Sequence, residues 1–569
     1  MSPRRSDDRS RGSRHLAAGA GAGLLAGAAG VAAAEAVTVL LDGVTSPLLA
    51  VANRAVDAAP RPVKEWAIAT FGTADKAVLI GGVVGTVVVL ALAAGAVGVR
   101  RPRLAASAFV ALTAVATAAA LTDRAATAGP LARLLPTLAL LVTGLVSLTV
   151  LLRAVRIPAK EAAADSEDGE QGPDGPDVIA APGIRLREQV TGGKPRLLVD
   201  DLLPATVPGD ELPAAFDRRA FLRAAAAVGA VAAAGGVVGR QLGRPAAAAA
   251  RAGLTVPRPT VPAPRVPAGA SLGVPGITPY LTPNRDFYRV DTALRVPDVP
   301  IDGWTLRIHG MVERELELSF EDLLSRRLVE ERITLTCVSN EVGGEYVGNA
   351  SWIGAPMRDL LREAGVREGA DAVKSTSADD FTVGTPLQVL QDPARNALVA
   401  IAMNGEPLPL EHGFPARMVT PGLYGFVSAT KWLVDLEVTR FADFRAYWTT
   451  RGYAAQAPIK TSSRIDVPRS FARVRAGRTP IAGVAWSQDR GIDSVEVRID
   501  GGPWREAELA EEDNVNTWRQ WVYRWDAPVG RHKLEVRATD RSGYTQTAER
   551  APIAPDGSTG WHSVDVTVE

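Results

Sequence analysis

The sequence predicts a multi-domain chain: N-terminal transmembrane α-helices, then a mixed globular domain, then an all-β sandwich. Three observations predict it. Up to about residue 250 the chain is dominated by Ala, Val, Leu and Gly, with apolar runs long enough to cross a bilayer. From Gly276 aromatics appear, charges mix, and alternation replaces the long runs. From about Ser463, short alternating segments follow one another with Gly-containing turns between them, the pattern of a sandwich. A length of 569 residues suits several domains of about 100–200 residues each.

Composition narrows the function. Lys plus Arg (63) equals Asp plus Glu (63), so net charge selects no partner. The chain has no long basic run, no zinc-type spacing and no Arg–aromatic interleaving, which excludes nucleic acid as a partner. Cys337 is its only cysteine, so no intramolecular disulfide supports the fold.

Residues 1–157 read as a four-span region. A basic leader (Arg4, Arg5, Arg9, Arg11, Arg14) precedes apolar runs at about 16–41, 78–99, 104–121 and 131–152. Each is near the ~20 helical residues a bilayer needs, and each is rich in small residues that let helices pack closely. Glu35, within the first run, receives no role. The leader, Arg100-Arg101 with Arg103, and Arg153 with Arg156 fall on one side if the spans alternate; the positive-inside rule makes that side cytoplasmic.

Residues 158–217 begin polar and acidic (Glu161, Asp165, Glu167, Asp168, Glu170) and read as a flexible cytoplasmic segment. Arg218-Arg219-Ala220-Phe221-Leu222, before an Ala/Val/Gly run, reads as a twin-arginine export signal, with an ordinary cytoplasmic anchor as the alternative. Residues 218–242 then supply a fifth span. Five prolines between Pro257 and Pro267 make 243–275 a stiff, extended linker. The expected location is the plasma membrane, multi-pass, with the C-terminal half on the extracytoplasmic side.

Cys337 ends the run Arg332-Ile333-Thr334-Leu335-Thr336, which reads as a strand, and precedes a loop marked by Asn340 and Gly343-Gly344. A thiol so placed can ligate a soft metal, while a small core residue is the plainer reading of a lone cysteine. The surrounding residues favour the metal. Thr334-Leu335-Thr336-Cys337-Val338-Ser339-Asn340, followed by Trp352-Ile353-Gly354-Ala355-Pro356-Met357-Arg358-Asp359-Leu360-Leu361, resembles the sulfite oxidase family of molybdopterin enzymes. The resemblance covers roughly residues 276–569. It implies an α+β molybdopterin-binding catalytic domain over 276–462, a molybdenum–molybdopterin cofactor, and Cys337 as its sulfur ligand. It also gives the export signal a chemical reason, because a cofactor made in the cytoplasm requires a folded protein around it before transport.

Other motifs carry the same resemblance. Asn284-Arg285-Asp286-Phe287-Tyr288-Arg289 is similar to the segment lining the pterin and the active-site mouth, implying roles for Asn284, Phe287 and Arg289. The family often ends it Arg-Asn-His; this chain has Arg289-Val290-Asp291, and the histidine contact does not carry over. The run from Met403 through His412-Gly413-Phe414-Pro415-Ala416-Arg417 to Lys431 resembles the one whose His, Arg and Lys hold the pyranopterin and its phosphate. A buried phosphate needs paired cationic donors, a fork from Arg and a point charge from Lys. Asn404-Gly405 reads as a hairpin turn as well. Ser428, in a stretch one residue longer than the family pattern, is a further phosphate candidate. Tyr447-Trp448 followed by Tyr453 implies an active-site tyrosine at 453 that faces oxygen on the metal, with Arg451 and Trp352 toward substrate. His309, in an alternating strand, reads as structural. Residues 463–569 look like the family's immunoglobulin-like dimerisation domain, implying a homodimer.

The expected function is two-electron oxygen-atom transfer between a small-molecule oxygen donor or acceptor and a separate redox protein. The chain encodes no Cys-x-x-Cys-His haem site and no histidine pair in its spans. Sulfite oxidases place two arginines after Cys-x-x-Asn, whereas Glu341-Val342 stand here. A reductase of sulfoxides or another oxyanion is therefore an alternative, and a non-catalytic surface or adhesion protein is the rival class.

Overall fold

A computed structural model describes residues 4–41, 44–60, 63, 66, 70–71, 75–123, 128–156, 218–242 and 246–569. The acidic segment expected to be cytoplasmic (158–217) lies outside the described residues. The chain divides into two compact units, one within Met1–Ala59 and Ala74–Gly243, the other within Pro60–Thr73 and Arg244–Glu569.

The first unit is helical. Among the described residues, four helices are long and apolar enough to cross a membrane: Arg14–Val39, Ala77–Gly98, Pro102–Leu121 and Pro130–Arg156. They coincide with the four runs read from the sequence. A further helix, Arg218–Leu242, forms where the fifth span was expected and packs on the first. The small residues explain the closeness of the packing: a side chain at Gly23 would collide with the Ala91 carbonyl, and one at Gly30 with that of Leu140. Gly19 meets Gly95 and Val99, and the Arg156 guanidinium donates to the Val99 carbonyl (2.9 and 2.6 Å). The basic positions around 14, 100–103 and 153–156 therefore share one end of this unit.

The second unit carries two catalytic-half sheets and two sandwich sheets. β1 (Thr305–Gly310), β2 (Leu316–Ser319), β5 (Ala372–Ser377), β6 (Thr382–Pro386) and β10 (Leu433–Thr439) form a mixed sheet in the order β2-β1-β10-β5-β6, with β1 and β10 parallel. β3 (Val329–Thr336), β4 (Val347–Pro356), β7 (Leu398–Met403) and β8 (Glu406–Pro407) form an antiparallel sheet in that order, with β9 (Arg417–Val419) added to β7. One core joins Leu306, Ile308 and Leu318 of the first sheet to Ile353, Val399 and Ile401 of the second, together with Leu360 from the helix Met357–Ala364. A separate cluster around Trp352, Ile333 and Phe414 covers the second sheet's other side. With both faces covered, β4 is buried at all ten positions, which is why its sequence shows no alternation.

The C-terminal region is two packed sheets. β11 (Ser462–Val467), β13 (Gly477–Trp486), β17 (Arg519–Ala527) and β16 (Glu508–Leu509) make one; β12 (Arg473–Val474), β19 (His562–Val568), β18 (Gly530–Asp540), β14 (Ile492–Ile499) and β15 (Arg505–Glu506) make the other. Trp521 and Trp525 share one strand face and fill the core between them, while Trp518 packs with Val338, Tyr424 and Tyr453 of the catalytic half. His309 is structural, as expected, bonded to Asp435 at 2.9 Å.

The proline-rich segment differs from expectation. It is extended, since proline fixes φ, but it lies against the unit instead of standing clear of it. Leu254 and Val256 pack on the catalytic core, Val261 pairs beside β3, and Leu272 N donates to Gln520 Oε1 (2.8 Å). The Pro264 carbonyl accepts from Arg332 Nη2 (2.7 Å), whose guanidinium also pairs with Asp513. Proline composition reports local stiffness and carries no signal for docking.

Arg332 and Asp513 leave only 6% and 2% of their side chains exposed. Asp513→Ala leaves a buried guanidinium without its carboxylate, so the full chain in detergent should lose about 3–5 kcal/mol in denaturant unfolding of this unit. A loss below about 1 kcal/mol would show that the pair is not effectively desolvated.

Candidate active site

β3 delivers Cys337 to a closed loop. The ladder with β4 continues through Cys337 N to the Tyr346 carbonyl (2.9 Å). Asn340 then shuts the loop, its amide nitrogen donating to the Cys337 carbonyl (3.1 Å) and its Oδ1 accepting from Tyr346 N (2.8 Å). The thiol is buried, and Ser339 N approaches Sγ at 3.4 Å. Burial pushes its pKa up, while the Ser339 amide and the Lys431 charge act in the other direction. Tyr288 and Tyr424 lie close enough for a thiolate to raise their own pKa values, which burial already lifts. A bound metal cation would supply the charge that this pocket lacks for a thiolate.

The cations gather through one glycine. Gly413 has φ +108°, and a Cβ there would lie 2.9 Å from Lys431 Cβ and 3.1 Å from Arg417 Cβ. Only glycine lets the His412, Arg417 and Lys431 backbones approach so closely. Arg417, on β9, is buried and donates to the carbonyls of His412 (3.0 Å), Met418 (3.3 Å) and Ala429 (3.4 Å). Its guanidinium lies over the Trp352 ring at 5.1 Å. No carboxylate pairs with it among the described residues, and burial lowers its pKa to about 10. A cation held this way is a site prepared for an anion.

His412 is neutral: burial first, then Arg417 and Lys431, lowers its pKa to about 4. Its Nε2 faces the Asn284 carbonyl at 3.2 Å, which assigns the proton to that nitrogen. Phe287 holds the imidazole edge-on (5.6 Å), meets Trp352 (5.9 Å) and stacks on Tyr288 (5.2 Å). Lys431 Nζ donates to Asp291 Oδ2 (2.7 Å) and the Glu411 carbonyl (3.0 Å), and lies 4.7 Å from the Trp432 ring. Arg289 Nε reaches the same Asp291 oxygen at 2.9 Å.

Several residues act differently from their expected roles. Trp352 has no exposed surface, so it serves as the platform beneath Arg417 and does not face substrate. The Ser428 hydroxyl donates to the carbonyls of Leu423 and Tyr424 (3.0 Å each), so its proton locks a turn and is not offered to a phosphate. The Asn284 amide is likewise engaged, donating to the Met403 carbonyl (3.2 Å) and accepting from Asn404 Nδ2 (2.8 Å). Arg451 lies flat on the Tyr447 ring (3.5 Å) and donates to the Tyr447 carbonyl (2.8 Å). Tyr453 is buried between Phe426 (5.5 Å) and Trp448 (5.2 Å), in the same cluster as Val338 beside the thiol.

Sequence reasoning missed Asp291 as the acid joining Arg289 to Lys431, although the change from histidine at that position was its signal. It gave no role to Tyr288, although the residue lies within the 284–289 motif, nor to Tyr424, both beside the thiol. Asn404 does two things. With Gly405 it makes the expected turn (φ +52° and +80°), and its amide pins the 282–284 segment. Glu341 is exposed, with half-buried Val342 beside it, in the loop that follows Asn340.

Residues 293–448 match the domain family described as oxidoreductase molybdopterin binding domain. The chain is 31% identical to the mitochondrial sulfite oxidase of Mus musculus over 344 residues, covering 51% of this chain and 62% of that protein's length. It is 31% identical to sulfite oxidase of Gallus gallus over 336 residues, covering 50% of this chain and 72% of the relative. An uncharacterized oxidoreductase of Bacillus subtilis, YuiH, is 34% identical over 175 residues, 30% of this chain and 84% of its own length.

Arg417→Met removes an uncompensated buried charge, so cofactor-free protein should melt at the same or a higher temperature. The pterin recovered from protein made in cofactor-producing cells should fall at least roughly tenfold. Full pterin content in that variant would show that Arg417 does not hold the anion.

Proposed function

The chain belongs to the sulfite oxidase family of molybdopterin-dependent oxidoreductases, and from this we propose that it is a membrane-anchored, exported enzyme of two-electron oxygen-atom transfer. The observation that carries the reading is the buried Arg417, which no carboxylate among the described residues pairs with, in one site with the buried thiol of Cys337. A molybdenum cofactor fits both features: an anionic tail for the cation and a soft metal for the sulfur. When bound, the group supplies the two-electron redox change and the exchangeable oxygen.

The protein's part is binding and orientation. Cys337 would fix the metal, and Arg417 and Lys431 would hold the anionic end of the cofactor. Neutral His412 keeps one proton on Nε2 and leaves Nδ1 as an acceptor. Asp291 holds Lys431 in place and balances Arg289 at the mouth. From the family motif, Tyr453 is the candidate to face oxygen on the metal, with Arg451 toward substrate once released from the Tyr447 ring and carbonyl.

Two features weigh against a dianionic substrate. Glu341 and Val342 stand where paired arginines would serve sulfite, and Arg289 is tied to Asp291. The second reading, a reductase of a neutral or weakly charged oxygen donor such as a sulfoxide, rests on these two features. Electrons pass to or from a separate redox protein, and the sandwich is read as an immunoglobulin-like dimerisation domain.

Placing Arg at both 341 and 342 should raise sulfite turnover roughly ten- to a hundredfold, mainly through KM, as one added charge-assisted hydrogen bond implies. Steady-state kinetics with an artificial electron carrier measure this. Efficient sulfite oxidation by the unmodified enzyme would remove the argument from these positions. For export, Arg218→Lys with Arg219→Lys should trap the catalytic half in the cytoplasm while the first four spans insert. Protease accessibility in intact cells checks it, and continued exposure outside would refute the twin-arginine assignment.

A further inference from the structure

The thiol loop is gripped from outside the catalytic half. Ser558 Oγ donates to the Asn340 carbonyl at 2.8 Å, on the residue that closes the loop behind Cys337. Arg464 Nη1 donates to the Gly344 carbonyl at 2.7 Å. The His562 ring, at the start of β19, presses on Gly343, whose φ is +83°; any Cβ there would collide with the imidazole. Ile465 N donates to His562 Nδ1 at 2.9 Å and fixes the ring's orientation. The strand on the other side of Cys337 is held too. Gln488 Nε2 donates to the Thr334 carbonyl (2.9 Å), and Trp518 N to Thr334 Oγ1 (2.8 Å). All these donors and rings belong to the C-terminal sandwich.

We infer that the sandwich is a positioning device for the metal-ligating thiol, with Ser558, Arg464 and His562 setting the conformation of the Cys337 loop. The physical reason lies in the loop itself. Residues 337–346 contain two adjacent glycines, and glycine carries more backbone freedom to lose than any other residue. The loop's own bonds, through Asn340, close its base, and the sandwich contacts fix its far side at Gly343 and Gly344. A ligand held through such a loop keeps its direction only if supporting contacts hold the loop, as outer contacts do for metal ligands in general. Ser558, Arg464 and His562 contact the loop at residues 340–344 and would act on the thiol through it. The inference rests on Cys337 being the metal ligand, yet its first consequence appears without metal.

The test uses the full chain in detergent, prepared both from cells unable to make the cofactor and from cells that make it. In cofactor-free protein, Ser558→Ala and His562→Ala should raise the rate at which iodoacetamide alkylates Cys337 roughly three- to tenfold, the opening expected from losing one hydrogen bond. Ser558→Thr, which keeps the hydroxyl, should restore the wild-type rate. In loaded protein, the two alanine variants should shift the electron paramagnetic resonance signal of the half-reduced molybdenum. Val564→Ala on β19 empties part of the sandwich core without touching the loop, and it should lower stability while leaving rate and signal unchanged. Wild-type alkylation in both alanine variants, or an equal effect from Val564→Ala, would overturn the inference. A wild-type protein lacking molybdenum would instead overturn the metal reading, with the alkylation result standing by itself.

Discussion

A buried arginine that pairs with no carboxylate among the described residues is the constraint around which the catalytic half is arranged. Arg417 can stay in the interior because Trp352 offers a flat π-face beneath it and three carbonyls accept its protons. That arrangement satisfies geometry but not charge, since carbonyls neutralise nothing. Much of the local architecture follows. β4 must be buried on both faces to place Trp352, Gly413 must lack a side chain to bring Lys431 near, and His412 must remain uncharged beside two cations. The site is internally consistent only when an anion is part of it.

Asp291 refines that charge pattern. It pairs with Lys431 and Arg289 through one oxygen, so these two cations share a single negative charge, while Arg417 has no carboxylate partner among the described residues. The thiol feels the same arrangement, because Lys431 eases its ionisation while burial resists it. In the proposed reading, cofactor anchoring and metal ligation would be coupled through this lysine. On that reading a dianionic substrate would have to compete with Asp291 for Arg289.

How much of this was legible depended on how local the chemistry is. Cys337, His412, Arg417 and Lys431 could be picked out because the family motifs carry those residue types at nearly fixed spacing, and the fold brings His412, Arg417 and Lys431 together around Gly413. The four apolar helices could be read because long unbroken apolar runs are a local signal. Asp291 was marked only by the departure from histidine at its position; its partner Lys431 lies 140 positions away, so the sequence did not say what the acid pairs with. The same holds for the grip of Ser558 on Asn340, across 218 positions. Trp352 and Ser428 were misassigned for another reason. A motif says that a residue matters without saying which way it faces, and burial turned both inward. The proline-rich segment shows the limit of composition: it predicts an extended backbone correctly and is silent about the surface that accepts it.

The account stands or falls on the bond between Cys337 and the metal. X-ray absorption at the molybdenum edge, on the full chain and on its Cys337→Ser variant, measures it most directly. The account predicts molybdenum in both preparations, with one sulfur scatterer fewer in the variant and the pterin still bound through Arg417 and Lys431. Identical sulfur coordination in the two proteins, or no molybdenum in the unmodified chain, would contradict it.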